Sequence, residues 1–289
     1  MKKCTKILAS ALCVTAICGS MAALGGCGGN GGKETISVTG STSVEEIMRP
    51  LAAEYEKNHN VRIVISAQGS GAGISDTKEG RNDFGMSSRN LQDDEPDTLT
   101  GRTLCLDGIA LVVSKNCTVD EVTNDEVYNL FMSSTAIQNT LLSAFGRDSS
   151  SGTAEAFNEK ICNPATGKSI KDEKAPYHKD VQKANTTGSL IDAIKQDRSN
   201  KTMGYISLGS YLKETESLKA LKFKAKDGTE FVEATTENVQ SGSYALQRPF
   251  VIVTKKGATL SAAAQGFYDW IFSADAQAII TANGYVLEK

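Results

Sequence analysis

Short runs of apolar, often β-branched residues alternate along the chain with segments whose apolar residues recur at helical spacing. The strand-like runs are residues 36–39, 61–65, 83–86, 108–114, 204–207 and 248–253. Helices are predicted from Val44 to Tyr55, from about Ile74, near 189–195 and over 260–282. This alternation of strand and helix predicts an α/β architecture.

Three residues bear on the start and the straightness of the first predicted helix. Ser43 and Glu46 have the spacing of a capping box, in which both side chains satisfy backbone N–H groups at the start of a helix. Pro50 removes one backbone donor and is expected to kink the first turns.

The amino-terminal segment has the pattern of a secretory signal. Lys2, Lys3 and Lys6 precede an apolar run, residues 7–18, that is too short to span a bilayer as a stable helix. Leu24-Gly25-Gly26-Cys27 follows and resembles the lipobox of bacterial lipoproteins, in which the cysteine becomes the lipidated first residue. We therefore expect a signal peptide over 1–26, a lipid such as palmitate on Cys27 and a flexible tether over 27–34. An uncleaved anchor or an ordinary secretory signal is the alternative.

The net charge limits the kinds of binding partner, and the cysteine content bears on disulfides and zinc sites. Removal of residues 1–26 takes away three lysines and no acidic residue, so 31 basic residues fall to 28 against 34 acidic ones, a net charge of −6. Nucleic acids and anionic membrane surfaces repel such a protein. Cys105, Cys117 and Cys162 remain after Cys27, an odd number without C-x-x-C spacing, which supports neither a disulfide framework nor a zinc site. Whether any two of them pair is left open.

Three turns rich in glycine and hydroxyl residues each precede a predicted helix: residues 40–43, 69–73 and 149–153. Arg147 stands two residues before the third turn. In an α/β sheet such turns lie at the carboxyl ends of strands, where helix N-termini concentrate partial positive charge. Small side chains uncover backbone N–H groups, so the turns and the guanidinium together predict a cup for an oxyanion. The structural alternative is that each turn only caps a helix and that Arg147 pairs with Asp148.

Motifs of nucleotide-binding and catalytic sites are absent, because the residues that resemble them do not have the required spacing. Gly69-x-Gly71-x-Gly73 is not the dinucleotide fingerprint G-x-G-x-x-G, and Ser151 lacks a G-x-S-x-G frame. The chain has two histidines, His59 and His178, and neither has the context of a catalytic triad or a metal cluster. These motifs therefore argue against nucleophilic catalysis and a His-based metal cluster, and we expect no catalytic residue, no metal and no cofactor.

Four motifs, in their order and spacing, resemble those of one known family. They are Val38-Thr39-Gly40-Ser41-Thr42-Ser43, Gly69-Ser70-Gly71-Ala72-Gly73, Asp83-Phe84-Gly85-Met86-Ser87-Ser88-Arg89 and Arg147-x-x-x-Ser151-Gly152-Thr153. The combination is similar to the substrate-binding protein of the phosphate-specific ABC transporter, and the likeness covers essentially all of the chain after the signal. It implies a type II periplasmic-binding-protein-like fold, with two α/β lobes joined by crossover strands. Inorganic phosphate would bind in the cleft between the lobes as they close.

The resemblance also implies ligand roles for individual residues. The expected phosphate-binding residues are Thr42, Ser43, Ser70, Ser88, Arg147, Ser151, Gly152 and Thr153, with Ser41, Arg89 and Asp148 as further candidates. Ser88 is a departure, because several family members carry there an aspartate that accepts the proton of hydrogen phosphate. Asp148 and a hydroxyl lone pair are the two candidates for that acceptor role. Arg89 either touches the ligand or lies at the cleft rim and pairs with an acidic residue.

The implied organisation is a first lobe over 35–113 and 243–289 and a second lobe over 114–242. The protein would be a lipid-anchored monomer on the extracytoplasmic face of the cell membrane that delivers phosphate to the membrane permease of an ABC transporter. Three alternatives remain: a receptor for another oxyanion such as sulfate or molybdate, a secreted phosphatase-like enzyme, and a sensor or adhesion lipoprotein.

Overall fold

The computed structural model of the chain describes residues 32–288, in which helices and strands alternate. The predicted signal peptide, Cys27 and most of the predicted tether lie outside the described residues. Within them, no helix is both long and apolar enough to cross a membrane.

The strands are β1 (Glu34–Gly40), β2 (Val61–Ala67), β3 (Phe84–Ser87), β4 (Leu99–Ser114), β5 (Glu121–Thr123), β6 (Ser143–Arg147), β7 (Gln182–Ala184), β8 (Thr202–Ser207), β9 (Leu218–Ala220), β10 (Lys222–Lys224) and β11 (Gln247–Lys255). The helices are α1 (Thr42–Asn58), α2 (Ser70–Glu79), α3 (Glu95–Thr98), α4 (Asn124–Ser133), α5 (Gly152–Lys160), α6 (Ile170–Glu173), α7 (Thr187–Gln196), α8 (Leu208–Leu212), α9 (Thr236–Ser241), α10 (Ala262–Trp270) and α11 (Ala274–Ala282).

One sheet runs through most of the molecule in the order β2-β1-β3-β11-β4-β8-β6-β7, and β9 also pairs with β4. β1 is parallel to β2 and β3, while β6 is parallel to β7 and β8. The last strand, β11, lies between β3 and β4 and is antiparallel to both. The α/β architecture predicted from the sequence is therefore confirmed, and each parallel group brings the following helix N-termini to one edge.

Strand β4 passes from one half of the sheet to the other. Its residues 99–108 pair with β11, and its residues 109–114 pair with β8 and β9. The two largest clusters of buried apolar residues divide at this strand, one around β1, α1 and α10 and the other around β8, α4 and α5. We call the parts of the molecule packed around these clusters lobe 1 and lobe 2. Residues 109–113, which the predicted division assigns to the first lobe, pack in the cluster of lobe 2.

The start of α1 differs from the prediction. Ser41, with non-helical backbone angles, is the N-cap, and its side chain accepts hydrogen bonds from the N–H groups of Ser43 and Val44. Ser43 is already part of the helix, so the capping box predicted for Ser43 and Glu46 is wrong. The cap lies two residues earlier because β1 ends directly at Gly40 and leaves Ser41 as the only residue between strand and helix.

Two other helix boundaries also differ. The predicted turn over 69–73 is mostly the first part of α2, which begins at Ser70. Position 73 requires glycine, because a Cβ there would lie 2.6 Å from both Gly40 Cα and Thr39 O at the end of β1. The helix predicted over 260–282 is two helices, α10 and α11, since Ser273 caps the second by accepting a hydrogen bond from Ala276 N.

The three cysteines of the described region are free thiols. Cys105 and Cys117 are buried, whereas Cys162 is half-buried. Burial raises the pKa of Cys105 well above its ordinary value, so this side chain stays a protonated thiol in the core.

Candidate anion-binding site

The carboxyl ends of β1, β2 and β3 are tied together by backbone hydrogen bonds. Ser41 N donates to Met86 O over 2.9 Å, and Gly69 N donates to Gly40 O over 2.8 Å. Gly40 has a φ of 138°, and a side chain there would collide with the backbone of Met86. The strand ends approach this closely because Gly40 has no Cβ, and the starts of α1 and α2 are held side by side.

Two buried serines lie next to these helix starts. Ser88 N donates a hydrogen bond to Ser70 Oγ over 3.0 Å, and the two Oγ atoms are 3.2 Å apart. Gly152, the first residue of α5 in lobe 2, packs directly against them. A Cβ at Gly152 would lie 2.7 Å from Ser88 Oγ and even closer to Ser70 Oγ. The backbone at the start of α5 therefore contacts the two serines of lobe 1.

Hydroxyl groups of the two lobes also contact one another directly. Ser43 Oγ lies 3.0 Å from Thr153 Oγ1, although the residues are 110 positions apart. Thr42 Oγ1 lies 3.1 Å from Thr187 Oγ1, across 145 positions. All four side chains are buried. The structure therefore brings the three predicted turns together at one place between the lobes.

Arg147 lies at the end of β6 beside these hydroxyls, with 2% of its surface exposed. Its Nη2 donates to Thr42 Oγ1 over 3.1 Å and its Nη1 to Thr187 Oγ1 over 3.2 Å. Its Nε donates to Ala184 O and its Nη2 to Asn185 O. All of these acceptors are neutral, and among residues 32–288 Arg147 forms no salt bridge.

The electrostatics of Arg147 favour a bound anion. Burial lowers the pKa of its guanidinium, and the charges of Tyr205 and Asp148 offset this only in part. A guanidinium nevertheless stays charged in proteins, so the site holds a buried positive charge that forms no salt bridge with a carboxylate of the described residues. The ion pair with Asp148, which was the structural alternative, is absent from the described residues. Asp148 Oδ1 instead accepts hydrogen bonds from the N–H and the hydroxyl of Ser150.

A pair of tyrosines supports Arg147 from behind. Tyr205 OH accepts a hydrogen bond from Arg147 N over 3.1 Å and lies 3.2 Å from Tyr177 OH, which donates to Asn158 Oδ1. Burial raises the pKa of Tyr205 to about 12, so its hydroxyl keeps its proton and donates it to Tyr177. This chain of hydrogen bonds fixes the end of β6 and therefore the backbone position from which the Arg147 side chain extends.

Thr187 belongs to the site but is missing from the sequence prediction. It is the first residue of α7, is buried, and contacts Thr42, Ser43 and Arg147 through its side-chain oxygen. The signal was present, because residues 186–189 (Thr-Thr-Gly-Ser) repeat the hydroxyl and glycine composition of the other three turns. Thr187 places a fourth helix N-terminus at the site, after those of α1, α2 and α5.

Ser41 and Ser151 serve as helix caps. Ser41 Oγ accepts from the first turn of α1, as described above, and Ser151 Oγ accepts from Ala154 N over 3.3 Å at the start of α5. A capping hydroxyl uses its lone pairs and keeps its proton available for donation. The cap and ligand interpretations of these serines are therefore compatible.

Arg89 takes the second of its two predicted alternatives. Its Nη1 and Nη2 donate to the two carboxylate oxygens of Glu95 over 2.7 and 2.8 Å. Its Nη1 also donates to Asn90 O, and its Nε forms a salt bridge with Glu155 of α5. The guanidinium is thus engaged by acidic residues at the edge of the site.

A cavity of about 720 Å³ lies elsewhere in lobe 2, between β9, β10 and α9, and is larger than the cavity of about 290 Å³ beside Arg147. Its cations have acidic partners: Lys219 pairs with Asp120, and Lys222 pairs with Glu233. None of the predicted site residues lines it. By volume alone this cavity would be the better candidate for the anion site. An anion recognises positive charge, however, and the buried charge without a salt-bridge partner in the described part of the chain is that of Arg147.

Comparisons with known proteins show which family the chain belongs to and which solved structures it resembles. Residues 27–275 match the model of the PBP superfamily domain PBP_like_2. The phosphate-binding protein PstS of Staphylococcus epidermidis is 27% identical over 266 residues, which cover 83% of this chain and 77% of that protein. A phosphate ABC transporter substrate-binding protein with bound phosphate from Clostridium perfringens has a TM-score of 0.76 and 29% identity, covering 89% of this chain and all of that one (100%).

A second solved structure is similar over the same range. An ABC-type phosphate transport receptor from Vibrio cholerae has a TM-score of 0.66 and 26% identity, covering 88% of this chain and 100% of that one. The predicted type II periplasmic-binding-protein-like fold is therefore confirmed. Its sheet order, with the last strand between β3 and β4, is the one described above.

Proposed function

We propose that this chain, which belongs to the PBP superfamily, is the receptor of an ABC transporter for inorganic phosphate. Proteins similar to it over most of its length are named phosphate-binding or phosphate-transport proteins, and they are receptors rather than enzymes. One of those similar structures holds bound phosphate.

The observation that carries the proposal is the buried guanidinium of Arg147. A buried cation whose hydrogen-bond acceptors are all neutral raises the free energy of the folded protein, and an anion placed against it lowers that free energy again. Its planar fork of donors matches two oxygens of a tetrahedral anion. The four helix N-termini around it contribute partial positive charge in the same direction.

The ligand-binding set follows from these contacts. Hydroxyl donors are Thr42, Ser43, Ser70, Ser88, Ser151, Thr153 and Thr187, the guanidinium is that of Arg147, and Gly152 offers its backbone N–H. Small and hydroxyl-bearing side chains leave the backbone accessible, so one anion receives many hydrogen bonds while a single full charge faces it. This explains how a protein of net negative charge holds an anion.

We assign the proton of hydrogen phosphate to a hydroxyl acceptor rather than to Asp148. Among residues 32–288 the Asp148 carboxylate accepts hydrogen bonds from the N–H and the hydroxyl of Ser150 and from none of the hydroxyls that contact Arg147. Ser88 lies within the cluster of site hydroxyls, and a serine oxygen has two lone pairs in addition to its proton.

The organisation of the protein completes the proposal. We place the division between lobes at the crossover strands β4 and β11, close to Asp107 and Gln247, and we retain a lipid on Cys27, a monomeric state and an extracytoplasmic location at the membrane. The support for the division is the change of core cluster along β4. The support for the anchor is the sequence motif that ends at Cys27.

Isothermal titration with phosphate and sulfate, in parallel between about pH 5 and 8, tests the proposal. We expect phosphate to bind and sulfate, which carries no proton near neutral pH, to bind less tightly. Arg147→Ala should weaken phosphate binding at least about tenfold, because a charge-assisted hydrogen bond contributes roughly 1.5–3 kcal/mol. Equal binding of sulfate or molybdate would favour the other-oxyanion alternative, and turnover of a chromogenic phosphoester would favour the phosphatase alternative.

A further inference from the structure

A cluster of charged residues at the edge of the site joins the two lobes. Arg89, which directly follows the site residue Ser88, belongs to lobe 1, and its partner Glu155 lies in the first turn of α5 in lobe 2. One helical turn farther along α5, Glu159 accepts a hydrogen bond from Gln92 of lobe 1 over 2.7 Å. Two neighbouring carboxylates of one helix therefore reach across to one loop of the other lobe.

Both ends of this connection are held in place within their own lobes. In lobe 1, Glu95 binds the two outer nitrogens of Arg89, and Nε of Arg89 is the nitrogen that forms the salt bridge with Glu155. In lobe 2, Lys171 lies 2.8 Å from Glu159 and 3.5 Å from Glu155. Because neighbours fix both charged groups beforehand, forming the pair costs little further side-chain entropy.

The position of Glu155 means that the ion pair between Arg89 and Glu155 affects the electrostatics of anion binding. Its carboxylate is on the same first helical turn as Gly152 and Thr153, close to the place where the anion is proposed to bind. A negative charge there repels an anion unless a cation compensates it. Within lobe 2, Lys171 supplies part of that compensation from 3.5 Å, and Arg89, which belongs to lobe 1, adds its share only when the lobes are in contact.

We propose that Arg89 and Glu155 form a latch that holds the lobes together around the bound anion, with Arg89 acting as a positioning residue rather than a ligand. This inference rests on the proposed function, because it concerns the same site. The apparent affinity of a receptor that closes over its ligand is its intrinsic affinity scaled by the population of the closed state. The latch raises that population and slows release.

Glu155→Gln separates this role from a simple electrostatic one. Removing the carboxylate takes a negative charge away from the anion, so electrostatics alone predicts tighter binding, whereas loss of the latch predicts weaker binding. We expect the affinity for inorganic phosphate to fall about tenfold. The dissociation rate should rise by about that factor, while the association rate stays almost unchanged. A rapid-filtration chase of bound radiolabelled phosphate with excess unlabelled phosphate measures the dissociation rate, and the association rate follows from this rate and the Kd found by isothermal titration.

Glu214→Gln is the matched control. Glu214 pairs with Lys195 within lobe 2, and its side chain is 27% exposed, compared with 28% for Glu155. The control breaks an ion pair of similar exposure without affecting the contact between lobes, so it should leave both rates unchanged. Unchanged or tighter phosphate binding in Glu155→Gln overturns the latch.

A distance measurement tests the latch independently of the identity of the anion. Val64 of lobe 1 and Leu142 of lobe 2 are exposed, so spin labels on Val64→Cys and Leu142→Cys, in a Cys162→Ser background, report the separation of the lobes. Cys105 and Cys117 are buried and remain unlabelled. We expect Glu155→Gln to broaden the distance distribution toward larger values, and an unchanged distribution contradicts the latch. Failure of the unsubstituted protein to bind phosphate would contradict the proposed function instead.

Discussion

The side-chain oxygens of Ser43 and Thr153 lie 3.0 Å apart, although the two residues belong to different lobes and are 110 positions apart in the sequence. Each is in the first turn of a helix, α1 for Ser43 and α5 for Thr153. The N-termini of these two helices therefore face the same point. An anion bound at that point, as proposed, would receive donors from both lobes.

Ser43→Ala tests this shared donor set. The buried Ser43 hydroxyl has Thr153 and Thr187 as its neighbours, so its removal takes one donor from the anion. A hydrogen bond contributes about 1 kcal/mol net, and we expect phosphate affinity to fall about fivefold, measured by isothermal titration. Ser75→Ala, which removes an exposed hydroxyl of α2, should leave the affinity unchanged. Equal affinities for the two variants would mean that Ser43 donates nothing to the ligand.

The buried ion pair of Asp107 and Arg248 joins the two crossover strands. Asp107 Oδ2 lies 3.1 Å from Arg248 Nη2, both side chains are 1% exposed, and Asp107 Oδ1 accepts from Ser207 Oγ of β8. Asp107→Ala leaves a buried guanidinium unpaired and should lower the free energy of unfolding by about 3–5 kcal/mol.

Urea unfolding measures this loss of stability. The double variant Asp107→Leu with Arg248→Met removes both charges and should recover most of it, because an apolar pair of similar volume needs no compensation. If the single and double variants lose the same free energy of unfolding, the role of Asp107 is packing rather than charge.

The turns and strands of the site could be predicted from the sequence because local chemistry determines them. Gly40 must be glycine where the strand ends crowd together, and serine and threonine recur at the following helix starts. Thr187 escaped prediction because its preceding strand, β7, has three residues, Gln182–Ala184, and no apolar run. The choice of Glu155 as the partner of Arg89 depends on how the lobes pack, which no local pattern encodes.

Glu95 should make stability depend on pH in the acidic range. Burial raises the pKa of this carboxyl, but the bonds from Arg89 and from Gln92 N outweigh burial and lower its pKa below the ordinary value. Its contribution to stability is therefore fully present above the pKa of the unfolded chain and is lost as the pH falls through the lower pKa of the folded protein.

The measurement is urea unfolding of Glu95→Gln and of the unsubstituted protein at several pH values. The difference in free energy of unfolding should be largest above about pH 6 and should shrink as the pH falls below the ordinary glutamate pKa and through the lower pKa of the folded protein. Glu216→Gln, which removes an exposed side chain outside the ion pairs of the described residues, is the control and should change the free energy of unfolding by less than about 0.5 kcal/mol. A pH-independent difference for Glu95→Gln would contradict the assigned ion pair with Arg89.

Gly152→Ala gives the sharpest test of contact between the lobes at the site. The added methyl group would lie 2.7 Å from Ser88 Oγ and would also collide with Ser70 Oγ, so the start of α5 must move away from lobe 1. Within its own lobe the change is tolerated, because Gly152 is a helical residue without a positive φ. Phosphate affinity should fall about ten- to a hundredfold while the thermal midpoint of unfolding changes little. Gly71→Ala is the matched control, since its methyl group would lie 3.6 Å from the backbone of Ser150, an ordinary contact. If Gly152→Ala binds phosphate as tightly as Gly71→Ala, the anion does not require the contact between α5 and the two serines, and the site must be assigned to one lobe alone.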